Sequence, residues 1–388
     1  MVSPPDGAAR PALVLLHQNT HMGGAELSVL DILRQAKAWG HGVHLITEAP
    51  GALHEAFLGV VDSWCRAPFL YPGRPLSWPH IFAFRAKAGR LLDAIPGAKL
   101  LWVGDFHPGW CASLLLPRPG LRLCLHWQGE YSFKGDGDAR KWLRYGARHA
   151  QQLVSSPFVA AHMNEQSCLP RMVANLPPVI DRARFDPRRT MPETLRQNYG
   201  WTDGRRTAFC PGRIGPGKGQ LRLLRAFLKD EDLRRRWRLV FAGPCEEAAH
   251  LREFTALLAG QDVAAWLGPR SDVSELLAAC DLAVFPGLLS ENFPRVILEA
   301  ALMSRPFLAY AVGSPARMAA GYPGLLPPEE APAAFLDRLR TLGPAELAQW
   351  RDELNRLPLK DFTLETWQAD LARLLALTPE LSVPAGGS

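Results

Sequence analysis

Twice along this chain a short apolar run gives way to a glycine-rich turn and then to apolar positions at helical spacing, and this order limits the fold more than any other feature. The first instance is Ala12-Leu-Val-Leu-Leu16, then His17-Gln-Asn-Thr-His-Met-Gly-Gly-Ala-Glu26, an amphipathic pattern to about Trp39, and a further run at Val43-His-Leu-Ile-Thr47. The second is Thr207 to Pro211, the turn Gly212-Arg-Ile-Gly-Pro-Gly-Lys-Gly219, a helical pattern over Gln220 to Lys229, and a run at Arg238 to Ala242. A strand that is apolar throughout is covered on both faces, as in a parallel sheet flanked by helices. Strands and helices alternating in this way predict an α/β chain with two doubly wound, Rossmann-like halves, whose ligands sit beyond the carboxyl ends of the strands.

The same reading places strands at Lys99 to Val103, Leu121 to Leu125 and Gln152 to Ser155, with helices over Ser77 to Ala94 and Asp138 to His149. Later strands fall at Val263 to Leu267, Leu282 to Phe285 and Phe307 to Ala311, and helices at Ala248 to Leu258 and Val273 to Ala279. Val173 to Asp186 is proline-rich and aperiodic and reads as the connection between halves. Leu364 to Leu377 is a last amphipathic helix. The expected division is residues 1–180, 181–361 and 362–388, and 388 residues suit two cores better than one.

Composition narrows the class. No apolar run approaches the roughly 18 residues that span a bilayer, and Met1 to Arg10 lacks the apolar centre of a signal peptide. Seven cysteines, an odd number with no C-x-x-C pair, argue against a disulfide framework or zinc knuckle and suit a reducing cytosol. A cytoplasmic protein with loose ends at Met1 to Arg10 and Thr378 to Ser388 is expected. The net charge of +6 favours anionic partners (nucleotides, phospholipid surfaces, nucleic acid) without choosing among them.

Several constellations carry chemistry. On the second glycine turn, Arg213 and Lys218 are five apart and can converge on one diphosphate, the arginine as a planar fork and the lysine as a compact charge. No Ser or Thr follows Lys218, so the turn is not a P-loop. In isolation it reads equally as a solvated basic turn. Ser290 to Pro306 holds Glu291 in a loop, Pro294 where a helix begins, and Glu299 within the helix Arg295-Val-Ile-Leu-Glu-Ala-Ala-Leu-Met303. Glu299 can accept two ribose hydroxyls, Glu291 can orient a sugar, and the N–H groups near Asn292 and Phe293 can hold a phosphate. Without other signals, both acids read as exposed surface residues. Gly23 and Gly24 permit close approach of a phosphate or sugar to a helix start, although the spacing is not a dinucleotide fingerprint. Glu26 reads as compensating the helix dipole. His126, at a strand end, can contact a sugar or acceptor or move a proton, and His107 sits at the end of the strand before it. Arg118 to Arg148 carries seven basic residues against three acids among aromatic residues, which suits either a solvated face or an anionic membrane surface.

Taken together, these pieces resemble the retaining GT-B glycosyltransferases of family 4, from about Leu13 to about Leu375. The most specific part is G-R-x-x-x-x-K-G from Gly212, F-A-G from Phe241, the run from Leu267 through Asp272-Val273 and Cys280-Asp-Leu282 to Pro286, and E-N-F-P-x-x-x-L-E-A from Glu291, all in the family's order and spacing. Met22-Gly-Gly-Ala-Glu26 looks like the family's first glycine loop.

The resemblance implies two domains facing a central cleft, an acceptor side at residues 1–180, a nucleotide-sugar side at 181–361, and a final helix returning to the first domain. It implies a UDP- or GDP-linked sugar donor, a glycan or lipid-linked acceptor, retention of anomeric configuration, no cofactor and no metal, and no nucleic acid. Arg213 and Lys218 would hold the diphosphate, with Gly212 beside them. Glu291 would contact the sugar and Glu299 the ribose. The main chain at Asn292, Phe293 and Pro294 would face sugar and phosphate, and Gly23 and Gly24 would approach the donor. His126 would lie by the reacting sugar and Arg270 would flank the base. The loop Val312-Gly-Ser-Pro-Ala-Arg317 departs from the family pattern. A GT-B phosphorylase or synthase acting on a small phosphorylated sugar, or a non-catalytic binding protein of the same fold, are the competing readings, and the presence of Arg213, Lys218 and both glutamates speaks against the last. Peripheral attachment to the inner face of the membrane is a further expectation.

Overall fold

The computed structural model describes residues 11–21, 23–68, 78–97, 99–104, 112, 115, 118–128, 150–155, 159–160, 174–245, 247–288, 294–329, 331–357 and 364–376. The chain divides into two compact units, Met1–Val179 together with Thr363–Ser388, and Ile180–Phe362.

The first unit is built on seven parallel strands: β1 (Ala12–Asn19), β2 (Val43–Ala49), β3 (Ser63–Arg66), β4 (Lys99–Val103), β5 (Leu121–Trp127), β6 (Ala150–Val154) and β7 (Ala174–Asn175), in the order β3-β2-β1-β4-β5-β6-β7. Side chains alternate across a strand, so each run supplies both faces. Val14, Leu16, Leu101, Leu123 and Leu125 pack with Ile81, Phe84, Ala88 and Leu92 of helix α2 (Trp78–Asp93). Leu13, Leu15, Leu100, Trp102 and Cys124 face the other way, against Val29, Ile32, Leu33 and Ala36 of helix α1 (Gly24–Ala38). That second face also receives the terminal helix Leu364–Ala376 through Trp367, Leu371 and Leu374, all within one helical stripe. Gln368 donates to Gln35 at 2.7 Å, and the Arg122 guanidinium donates to the Leu375 carbonyl at 3.0 Å.

The second unit repeats the plan with β8 (Arg206–Pro211), β9 (Trp237–Ala242), β10 (Ala264–Trp266), β11 (Leu282–Phe285), β12 (Phe307–Tyr310) and β13 (Leu325–Leu326), ordered β10-β9-β8-β11-β12-β13. Helices α3 (Gln220–Leu228), α4 (Glu231–Arg236), α5 (Ala248–Leu258), α6 (Val273–Ala279) and α7 (Arg295–Leu302) connect them. In both sheets the strand order reverses beside the first strand, between β1 and β4 and between β8 and β11. Such a switch point leaves a crevice at the carboxyl ends, because the chains leaving the two strands diverge to opposite sides.

The α/β class with two parallel sheets is as expected, and the differences have local causes. β1 and β5 run further than their apolar cores suggested, to Asn19 and Trp127, so His17 and His126 lie inside strands and not in loops. Edge strand β3, Ser63-Trp-Cys-Arg66, is mostly exposed and has no apolar run to announce it. β7 falls within the stretch read as a connection. The helices Ala333–Thr341 and Pro344–Leu354 were not anticipated, their buried positions being spaced by charged residues. The helix expected at Asp138 to His149 lies outside the described residues, as do most of the basic aromatic segment and His107.

Candidate active site

The turn after β8 is fixed from both sides of the switch point. Gly212 donates to the Ala242 carbonyl at 2.9 Å and Ile214 to the Pro244 carbonyl at 2.8 Å, which ties the turn to the end of β9. Pro216–Lys218 then forms one 3-10 turn, and Gly219, at φ 75°, starts α3. A β-carbon on Gly219 would stand 2.0 Å from the Pro286 carbonyl oxygen, at the end of β11. The cationic turn therefore lies against the end of β11, at the crevice the topology creates. Arg213 is exposed and Lys218 half-buried. Lys218 lies close enough to the buried Cys210 thiol to pull back part of the upward shift that burial gives it.

Two residues support the turn that sequence reasoning treated only as helix positions. Gln220, 3% exposed, donates to the Arg213 carbonyl at 3.0 Å and so holds the backbone beneath the guanidinium. Arg222 donates to the Pro286 carbonyl at 2.9 Å, from the side that Gly219 leaves open. The signal available in the sequence was position alone, since both follow the glycine turn within the first helical turn of α3.

Pro294 caps α7 with an extended backbone, and the helix starts at Arg295. Glu299 is half-buried on it, and among the described residues its carboxylate has no hydrogen-bond partner. Burial pushes that carboxyl above the usual range, while Arg295 and Arg184 pull it back. A sunken carboxylate with two cations beside it and no donor among the described residues is an acceptor ready for hydroxyl groups. Glu291, Asn292 and Phe293 lie outside the described residues.

Arg270 follows β10, but its guanidinium is occupied. It grips Asp272 with two bonds of 2.8 and 2.5 Å, and Tyr199 donates to the same carboxylate at 2.5 Å. Arg270 holds the Asp272 carboxyl down to about 2. Tyr199 in turn stacks on Trp201 at 4.9 Å. This clamp braces the loop, and contact with a base by Arg270 would require the clamp to open.

In the first unit, Gly23 is the extended cap of α1 and Gly24 its first residue. The Glu26 carboxylate folds back over them, so that a β-carbon on Gly23 would lie 2.2 Å from Glu26 Oε2. His17, 1% exposed, has its Nε2 3.7 Å from Glu26 Oε1. His126 is 4% exposed and sits edge-on to Trp102 at 5.6 Å. Burial lowers it to about 4; the Leu176 main chain offsets this slightly but stands outside hydrogen-bond geometry. The imidazole is therefore neutral near pH 7, and neither ring nitrogen has a hydrogen-bond partner among the described residues.

Comparison with known proteins bears on the fold and the family. Residues 22–184 match the family model described as Glycosyltransferase Family 4, and residues 205–343 match the model described as Glycosyl transferases group 1. The structure of Anabaena HepE in complex with UDP is similar at a TM-score of 0.73 and 19% identity, covering 94% of this chain and 99% of HepE. A glycosyltransferase from Rickettsia africae is similar at a TM-score of 0.74 and 17% identity, covering 94% and 98%. An exopolysaccharide phosphotransferase of Streptomyces coelicolor is 32% identical over 140 residues, 36% of this chain but only 15% of that protein. No helix among the described residues is long and apolar enough to cross a membrane. With one family model on each unit and a GT-B architecture throughout, this chain belongs to the group 1 glycosyltransferases.

Proposed function

We propose that the chain moves a hexose from a UDP- or GDP-linked donor to a hydroxyl of a polysaccharide, glycolipid or other glycan, with retention and without a metal. The observation that carries this reading is the pairing, within one unit, of a cationic glycine turn at the β8/β11 switch point with a sunken carboxylate on α7 that has no hydrogen-bond partner among the described residues. HepE, similar in fold, has been solved with UDP and with UDP-glucose.

Arg213 and Lys218 would hold the diphosphate and stabilise the negative charge that grows on it as the sugar leaves. Gly212 and Gly219 let the backbone come close. Glu299 would accept the ribose hydroxyls, and Glu291, with the main chain of Asn292, Phe293 and Pro294, would face the sugar. Gly23 and Gly24 would approach the donor and His126 the reacting sugar. The two cations do the work a metal does elsewhere. A donor phosphate oxygen would take the acceptor proton on the face from which the nucleotide departs. With a net charge of +6, the chain suits an acceptor carried on an anionic membrane surface.

A thermal-shift panel of nucleotide sugars tests the donor. A rise in Tm with a UDP- or GDP-sugar supports the reading, and no shift with any of them would end it.

A further inference from the structure

A cleft of about 350 Å³ opens at the amino-terminal end of the first sheet, lined among the described residues by Arg85, Asp93, Leu115, Arg118 and Pro119. Asp93 ends α2 ahead of β4, and Arg118 and Pro119 stand just before β5. The cleft is thus at the opposite end of the strands from Gly23, Gly24 and His126. Arg85, Gly89 and Asp93 recur every four residues and share one stripe of α2. Arg118 lies across that stripe. Its Nη2 donates to both Asp93 oxygens at 2.6 Å and to the Gly89 carbonyl at 3.3 Å. Nη1 rests over the bare glycine, 2.8 Å from where a β-carbon would stand. No acceptor among the described residues reaches Nη1 or Nε. Lys99 also acts on the Asp93 carboxylate. Arg85, Arg118 and Lys99 therefore stand near one carboxylate, and that side chain, 65% exposed, can swing out into solvent.

We propose that this cleft binds a phosphate monoester between Arg85 and Arg118, and that Asp93 holds the Arg118 fork in place until the phosphate displaces it. Guanidinium forks match the spacing of phosphate oxygens. A phosphate dianion answers two guanidinium groups at once, whereas the single carboxylate now present answers one. The volume falls in the range of small-molecule pockets, about 300–1,000 Å³. It leaves room beside Leu115 and Pro119 for the organic group that the phosphate carries. The bound ligand ties α2 to the start of β5 and touches neither the glycine loop nor His126. It is therefore an effector and not a substrate, and the site does not depend on the transfer reading. A phosphate monoester is found both in soluble metabolites and in the headgroup of phosphatidic acid.

The test titrates inorganic phosphate into wild type, Arg85→Ala and Asp93→Asn with UDP in excess, so that phosphate is kept from the Arg213–Lys218 turn. Binding heat and the arginine Nε–H resonances are followed. Arg85 is exposed, and its replacement should leave the melting temperature unchanged. Phosphate affinity should fall roughly tenfold in Arg85→Ala. It should rise in Asp93→Asn, because the amide competes less well for Arg118. A purely structural Arg118–Asp93 pair gives no such gain. Phosphatidylcholine vesicles with and without phosphatidic acid then identify the source. Retention on the phosphatidic acid vesicles that free phosphate displaces and Arg85→Ala abolishes assigns a lipid headgroup. Phosphate binding without that retention assigns a soluble monoester. No phosphate binding to wild type, or binding that both variants leave unchanged, overturns the site. Failure of UDP itself to bind would remove the donor reading, and the response to the two variants would still decide the cleft.

Discussion

Gly219 and Pro286 are in such close contact that the glycine has no room for a side chain: a β-carbon would lie 2.0 Å from the proline carbonyl oxygen, and its φ of 75° is in any case poor for other residues. Gly219→Ala should therefore push the turn away from β11. Strain of about 1–3 kcal/mol is expected in the fold, and UDP affinity should fall at least tenfold, read by melting and titration on the same sample.

Lys218→Ala should leave the melting temperature within a degree or two, because the side chain is half-buried at the turn and outside the core. Turnover should fall by several orders of magnitude, corresponding to several kcal/mol of lost transition-state stabilisation. Unaltered turnover would remove Lys218 from the diphosphate site.

Glu299→Gln should separate stability from function. The folded carboxyl is raised above its unfolded value, so the folded chain holds that proton more tightly and the ionised side chain opposes folding as pH rises through the acid range. At pH 7 the amide variant should melt at the same temperature or higher. Its affinity for UDP should drop roughly ten- to hundredfold, the worth of a charged hydrogen bond.

His126 should shape the acid limb of stability. Its folded value is about 4 against 6.5 when unfolded. The unfolded chain therefore binds the extra proton first, and stability is lost as pH falls from about 6.5 to about 4, by about 3 kcal/mol in total. His126→Gln should flatten urea midpoints across that window, and an unchanged slope would show that another group titrates there.

Leu371→Ala should lower the stability of the first unit by about 2–5 kcal/mol, because the side chain is fully buried against α1 and the sheet. Two transitions in calorimetry should move apart, with only the one belonging to the first unit displaced.

What could be read from the sequence was the part governed by local pattern. Lys99–Val103, Ala248–Leu258, Val273–Ala279 and Leu282–Phe285 have the same limits in the fold as in the sequence pattern, since the strands are short apolar runs and the helices keep apolar residues at helical spacing. Edge strand β3 escaped because it mostly faces water and needs no apolar run, and β13 because two residues make no pattern. At the site, Arg213, Lys218 and Glu299 were legible as residue types with a spacing. The contacts that make the turn rigid were not: Gln220 reaching back to Arg213 depends on how the turn after β8 folds, and Arg222 reaching Pro286 on three-dimensional closeness across β8 and β11. The Arg270–Asp272–Tyr199 clamp was likewise hidden, because Tyr199 is 73 positions from Asp272. The burial of His126 turned on two residues of additional strand, a length that hydrophobic runs define poorly.

The return of Leu364–Ala376 to the first sheet also sets the order in which the chain can be made. During synthesis, residues 1–179 leave the ribosome with the groove beside α1 open and its leucines uncovered, and they stay so while all of Ile180–Phe362 is translated and free to fold first. The unit that begins earliest is thus the one that finishes last. A ribosome stalled before Trp367 would release a protein with a complete second half and an apolar wound in its first, a ready substrate for chaperones and proteases.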